Sequence, residues 1–145
     1  MDTLQFYLDL AVFSILGLMS FLMVGYAIER FLYLRRVDPT TFDTEEHLTI
    51  ALTRGTIVLS TVGANAPYVG LLGTVLGILL TFYRIGESGT METESIMLGL
   101  ALALKATAAG IAVAIPSILA YNGLMRRVEV LTLEWRGEKS RGALV

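Results

Sequence analysis

Residues Asn65–Tyr83 read NAPYVGLLGTVLGILLTFY, inside a longer window, Gly55–Tyr83, that holds no charged residue. A helix rises ~1.5 Å per residue and crosses a bilayer in about 20 apolar residues, so this window spans with residues to spare. Gly70, Gly73 and Gly77 punctuate it, and Thr74 sits among them. A helix that only anchored a protein would have little use for so many glycines. Gly73 and Gly77 form a GxxxG pair, which lets two helix backbones approach closely in lipid. The expectation is a packed, pore-lining wall in an oligomer.

The rest of the composition agrees with a membrane setting. Of 145 residues 54% are hydrophobic, and the mean hydropathy is +0.67; such values suit a small membrane protein. There is no cysteine, which excludes disulfides and cysteine-based metal or nucleophile chemistry. His47 is the one histidine and lies in a charged segment, where solvation is its expected fate. With no paired carboxylates inside a span, neither a metal nor another cofactor is expected. No GxxxxGK[ST] loop occurs, so an ion gradient rather than ATP is the expected source of any work. The first residues carry no basic run and no small-residue cleavage site, so the first apolar segment is expected to stay in the protein.

Three spans are expected, at about 10–28, 57–83 and 96–121, with a connection at 29–54, a short acidic loop at 84–95 and a tail at 122–145. The fold class is all-α integral membrane, with helices extended beyond the bilayer. Asp38-Pro39 should end the first helix. Asp43 and Glu46 have capping-box spacing, so a helix should start near Thr44 and feed into the second span. Gly86 and Gly89 should break the second helix, and Pro67 and Pro116 should kink the second and third. Trp135 suits either the membrane interface or packing on a neighbour. Arg30, Arg35, Arg36 and Arg54 crowd the first connection, and five more basic residues lie in the tail. The positive-inside rule then places the N-terminus out, the connection in, the 84–95 loop out and the tail in.

Three polar groups fall inside the apolar windows. Thr74 lies about 13 Å below the outer end of its span by helical rise, Lys105 about 13 Å and Thr107 about 16 Å below the outer end of theirs, which puts all three in one mid-membrane layer. Around the third helix, Gly99, Ala103, Ala106, Gly110, Ala114 and Ser117 form one stripe of small residues, with Thr107 at its edge and Lys105 about 140° away. A lysine facing lipid at this depth costs several kcal/mol on insertion scales, about 3 kcal/mol, less if it snorkels. It is expected to face a neighbouring subunit or a water-filled cavity.

Two blocks, APYVGLLGTVLGI (Ala66–Ile78) and ALKATAAGIAVAIPSILAYN (Ala103–Asn122), closely resemble the ExbB/TolQ family, more distantly related to the flagellar stator protein MotA. The span-one exit ERFLYLRR (Glu29–Arg36) is similar as well. The resemblance implies a homo-oligomeric, pentameric ring in the inner membrane of a Gram-negative bacterium. Such a ring surrounds a dimeric, single-span ExbD-like partner that carries an intramembrane aspartate, and a TonB-like protein transmits the work to the outer membrane. It further implies that Thr74 and Thr107 correspond to pore-lining threonines near the partner's carboxylate. Two departures stand out. The large cytoplasmic domain of typical members has no room here, and Leu102 occupies the position of their span-three glutamate, with Lys105 one turn further along.

The leading reading is a non-enzymatic, proton-motive-force-driven motor subunit that energises TonB-dependent transport, with membrane lipid as its surroundings and no nucleic-acid partner. Its variant is a TolQ-like subunit for envelope integrity. The rivals are a small transporter with Lys105 as an anion site, against which three spans without a repeat pair speak, and a passive scaffold that uses its glycines only for packing.

Overall fold

The computed structural model describes residues 3–144, and these are helical throughout apart from short connections. Helix α1 covers Thr3–Arg36, a single 3-10 turn covers Pro39–Thr41, and α2 covers Glu45–Thr53; α3 then runs Thr56–Ser88 and α4 Thr93–Ala143. Helices α1, α3 and α4 are each long and apolar enough to cross a membrane. At 51 residues, α4 is about 76 Å long by helical rise, more than twice a hydrocarbon core, so its second half must stand clear of the bilayer.

Local chemistry sets the boundaries. Asp38 ends the run after α1 by accepting the Thr40 N–H at 2.9 Å and the Thr40 hydroxyl at 2.6 Å. The cap of α2 is Thr44, not Asp43: Thr44 has the extended backbone of a capping residue and accepts the His47 N–H at 3.3 Å. Nor does α2 feed directly into α3. Gly55 stands between them at φ +78°, in the left-handed region, and the Tyr26 ring lies where its Cβ would be, at 2.7 Å. At the far end of α3, Gly86 stays within the helix, and only Gly89, at φ +65°, stops it. Pro67 and Pro116 both lie inside unbroken helices, leaving the carbonyls four residues back, those of Gly63 and Ala112, without a backbone donor.

Packing follows two regimes. In the apolar half, α3 and α4 run antiparallel on a seam of small residues. A Cβ added to Gly99 would meet Thr81 Oγ1 at 2.5 Å, one on Gly77 the Ala103 Cβ at 2.9 Å, and one on Gly73 the Ala106 Cβ at 2.8 Å. The tightest point is Gly70 against Gly110, where an added Cβ on either would lie 2.5 Å from a backbone carbonyl oxygen, that of Ala106 or of Ala66. Lipid supplies no hydrophobic drive for helix association, so close backbone contact is what holds such a seam. Further along, Ser117 is fully buried and donates to the Leu59 carbonyl at 2.6 Å.

The other half is built from large side chains. Leu34, Leu48, Leu52, Leu59 and Leu131 are almost completely buried and tie α1, α2, α3 and α4 into one cluster. Arg30 of α1 is buried there. It donates to the Ala51 carbonyl in the last turn of α2 at 2.8 Å, is gripped through Nε and Nη2 by Glu29, and lies 4.3 Å from the Tyr33 ring centroid. Trp135 packs within its own chain and donates to the Phe42 carbonyl at 2.9 Å. Beside it Arg136 grips Glu45 through Nε, at 3.1 and 3.2 Å, and through Nη2. The α4 extension is thereby strapped to the connection between α1 and α3.

Two outcomes follow from this packing. Gly70→Ala or Gly110→Ala should lower stability by about 1–3 kcal/mol, because a backbone oxygen cannot step aside for the new methyl. Gly17→Ala, with nothing within 4 Å, should cost nothing; thermal melting in detergent compares the three. The Arg136 guanidinium holds the Glu45 carboxyl below its usual 4.5. A depressed carboxylate stabilises the fold fully above that value and loses its contribution as pH falls through the lower folded pKa. Fluorescence of Trp135, the single tryptophan, should therefore report loosening of the strap only below about pH 4.5, and Glu45→Gln should flatten that acid transition.

Candidate functional site

The antiparallel seam steps in register, Gly99 on Thr81, Ala103 on Gly77, Ala106 on Gly73 and Gly110 on Gly70. Thr74 of α3 and Thr107 of α4 fall within that register beside its tightest point. Their hydroxyl oxygens are 2.6 Å apart, and Thr74 Oγ1 also donates to the Ala103 carbonyl at 2.8 Å. Thr74 is 6% exposed, whereas Thr107 is half-buried at the edge of the seam. Neither makes the common back-bond to its own helix; Thr81 does, donating to Gly77 at 2.9 Å.

One proton per hydroxyl fixes the direction of this chain. With the Thr74 proton on the Ala103 oxygen, Thr107 must be the donor within the pair. The lone pairs of Thr107 are then left facing the edge of the seam as acceptors. The arrangement can hold a proton donor brought to that edge, in a layer of α3 and α4 whose one charged residue is Lys105.

The other residues singled out from the sequence divide clearly. Gly70, Gly73, Gly77, Gly99 and Gly110 all line the α3–α4 seam, and Gly73 additionally takes Val12 of α1, whose methyls would lie 3.0 and 3.1 Å from an added Cβ. The GxxxG pair is thus spent within the chain, against α4 and α1. Lys105 is turned away from the threonines, exposed, with no hydrogen bond or ion pair to any described residue. His47 is exposed on α2. Among the described residues no three His, Cys, Asp or Glu side chains gather in one place.

One structural residue escaped the sequence reading. Arg84, the first residue of the loop expected at 84–95, is in α3 and donates through Nη1 to the buried Gln5 of α1 at 2.8 Å, pinning the two helix ends together. Its signal was an arginine directly after an uncharged span, the place where a chain end can be anchored.

A chain of three long apolar helices, with a hydroxyl pair in a glycine-tightened seam, is a multi-pass membrane protein of channel type, and the comparisons say which. The MotA/TolQ/ExbB proton channel family matches residues 34–137, and the chain belongs to that family. It is similar to the biopolymer transport protein ExbB of Helicobacter pylori strain J99, with 48% identity over 136 residues covering 94% of each chain. Against the protein of that name from Aquifex aeolicus the identity is 49% over 135 residues, 93% of this chain and 91% of that one. The ExbB of Neisseria gonorrhoeae is matched over 78 residues at 47% identity, 54% of this chain but only 36% of that protein. The chain is therefore an ExbB-type proton-channel subunit of biopolymer transport, a transport component and not an enzyme. The chain covers 94% of the Helicobacter relative and 91% of the Aquifex one.

The hydroxyl pair makes a direct prediction. Thr74→Val should cost about 0.6 kcal/mol of stability, and at most roughly 1.7, the range for hydrogen bonds between membrane helices. Thr74→Ser should cost less, because it keeps the hydroxyl. Unfolding titrations in mixed micelles check the difference.

Proposed function

We propose that this chain is the ring-forming subunit of an inner-membrane motor that uses the proton motive force to energise TonB-dependent transport across the outer membrane. The observation that carries this reading is the Thr74–Thr107 hydroxyl pair, 2.6 Å apart, in an otherwise apolar layer of a chain from a proton channel family. In the proposed assembly five copies close a ring, with the N-terminus outside, the 29–54 connection and the 122–145 tail in the cytoplasm, and the 84–95 loop in the periplasm. α3 and α4 line the pore. A dimeric, single-span ExbD-like partner brings an aspartate to the level of Thr107, and a TonB-like protein carries the work outward.

The chemistry fits the geometry. A protonated carboxyl is a donor and Thr107 presents acceptor lone pairs; once ionised, the carboxylate becomes an acceptor and Thr107 can turn its proton toward it. The pair therefore holds the partner in both protonation states, and the group that gains and loses the proton is the carboxyl, not either hydroxyl. Ring formation is also supported by the large apolar side chains that α3 and α4 leave exposed, such as Leu72 and Leu104, and the orientation by the basic residues at one end of the three helices.

Native mass spectrometry of the tagged protein, extracted mildly from its own membranes, tests the assembly. A homo-oligomer carrying fewer copies of a single-span protein is expected; a lone monomer or dimer sinks the reading. Thr107→Val should lower proton-driven uptake by about 10²-fold or less, in line with loss of one positioned hydrogen bond, at unchanged ring mass. Thr107→Ser should recover most of it.

A further inference from the structure

At the basic end of the bundle, α1 and α4 part around a hollow of about 700 Å³, within the size range of sites that take small molecules. The two helices run parallel here. Val12 and Ala106 meet at the position of a Gly73 Cβ, and Trp135 reaches Phe42 just beyond the end of α1, so between these contacts residues 27–35 lie alongside 119–127. The hollow exists because small residues stand where the helices would otherwise touch: Ala27 on α1, Ala120 and Gly123 on α4. A Cβ added to Gly123 would meet nothing within 4 Å. The walls are apolar, with Ile28, Phe31 and Leu119 among them, and these three side chains are exposed.

One end of the hollow has a different chemistry. Arg35 of α1 and Arg127 of α4 both line it, at one level by that register. By helical rise Arg35 stands about 10 Å beyond Ile28, the last residue of the uncharged run of α1. An arginine can reach back toward such a boundary with its stem on apolar surface, and Arg35 does so over the Phe31 ring, 5.0 Å from its centroid. No carboxylate lines the hollow. The acidic side chains that flank it in sequence are taken: Glu29 by Arg30 at 2.6 and 2.7 Å, and Glu129 by Arg126 at 2.7 Å. Neither Arg35 nor Arg127 makes an ion pair with a described residue.

We propose that this hollow binds one anionic phospholipid from the leaflet at that end of the bundle. The phosphate sits between the Arg35 and Arg127 guanidiniums, whose forked donors match phosphate oxygens, and an acyl chain lies along Ile28, Phe31 and Leu119. Basic pockets between membrane helices take anionic headgroups in this way. An apolar trough with two unopposed cations at one end matches a lipid, apolar along its length and anionic at its head. A soluble anion would leave the trough idle. The bound lipid fills the gap between α1 and α4 and offsets the repulsion of two guanidiniums brought to one mouth. Neither the site nor its test depends on the motor reading.

Native mass spectrometry of the full chain, extracted mildly and relipidated, reads the binding. Phosphatidylglycerol should be held more tightly than phosphatidylcholine, which carries the same phosphate but a cation beside it, and inorganic phosphate should not displace it. Arg35→Gln with Arg127→Gln should weaken phosphatidylglycerol binding roughly 30-fold, about fivefold for each charge lost near the surface. Lys139→Gln with Arg141→Gln removes the same charge outside the hollow and should change little. Gly123→Leu keeps both arginines and has room for its side chain; by filling the trough it should also displace the lipid, with Trp135 fluorescence confirming an intact fold. Equal retention of the two lipids, an equal loss in the control pair, or full retention by the arginine or the glycine variant overturns the site. A photoreactive benzophenone side chain in place of Leu119 should capture lipid in native membranes; capture of a second chain instead gives the trough to a neighbouring subunit and overturns the proposal.

Discussion

The contact on which the structure depends is the backbone-to-backbone approach of α3 and α4 at Gly70 and Gly110. Neither position leaves room for a methyl, because the atoms in the way are carbonyl oxygens and not side chains that could turn aside. The functional geometry hangs on the same contact. The Cα of Thr107 lies 3.1 Å from where a Gly70 Cβ would be, so any residue that separated the helices there would also part the two hydroxyls. In lipid, where apolar burial does not distinguish a helix from its surroundings, close packing and a few interhelical hydrogen bonds are the available means of fixing a seam.

Outside the bilayer the solvent changes and so does the chemistry of the core. Leu34, Leu48, Leu52 and Leu131 are buried there, where expelling water from large side chains is favourable. Helix α4 passes through both regimes in one unbroken run, so the leucine cluster and the Glu45–Arg136 and Trp135–Phe42 contacts act on the same rigid rod that carries Thr107. The leucine-rich half is in this sense the mounting for the glycine-rich half.

Polar groups inside the apolar layer are few and sorted by face. The hydroxyls occupy the α3–α4 seam, uncharged and mutually bonded, and can exchange donor and acceptor roles without a change of charge. Lys105 lies on another, exposed face of α4.

Much of this was legible in the residues. Apolar length gives the three long helices; the spacing of Gly99, Ala103, Ala106, Gly110, Ala114 and Ser117 marks the inner face of α4; and helical rise alone puts Thr74 and Thr107 at one depth. These are properties of a single helix, with a fixed rise and a fixed turn, and a sequence determines them. What only the tertiary structure decided concerns relations between helices. The GxxxG pair serves contacts within the chain, Thr74 bonds across to α4 and not back along α3, Arg84 reaches Gln5, and Trp135 finds Phe42. The capping residue is Thr44 and not Asp43, and Gly86 stayed helical, since a glycine costs a helix only about 1 kcal/mol and the positive φ that ends α3 falls at Gly89. Periodicity says which residues share a face; which faces meet, and in what register, is fixed only where backbones close to contact at Gly70 and Gly110.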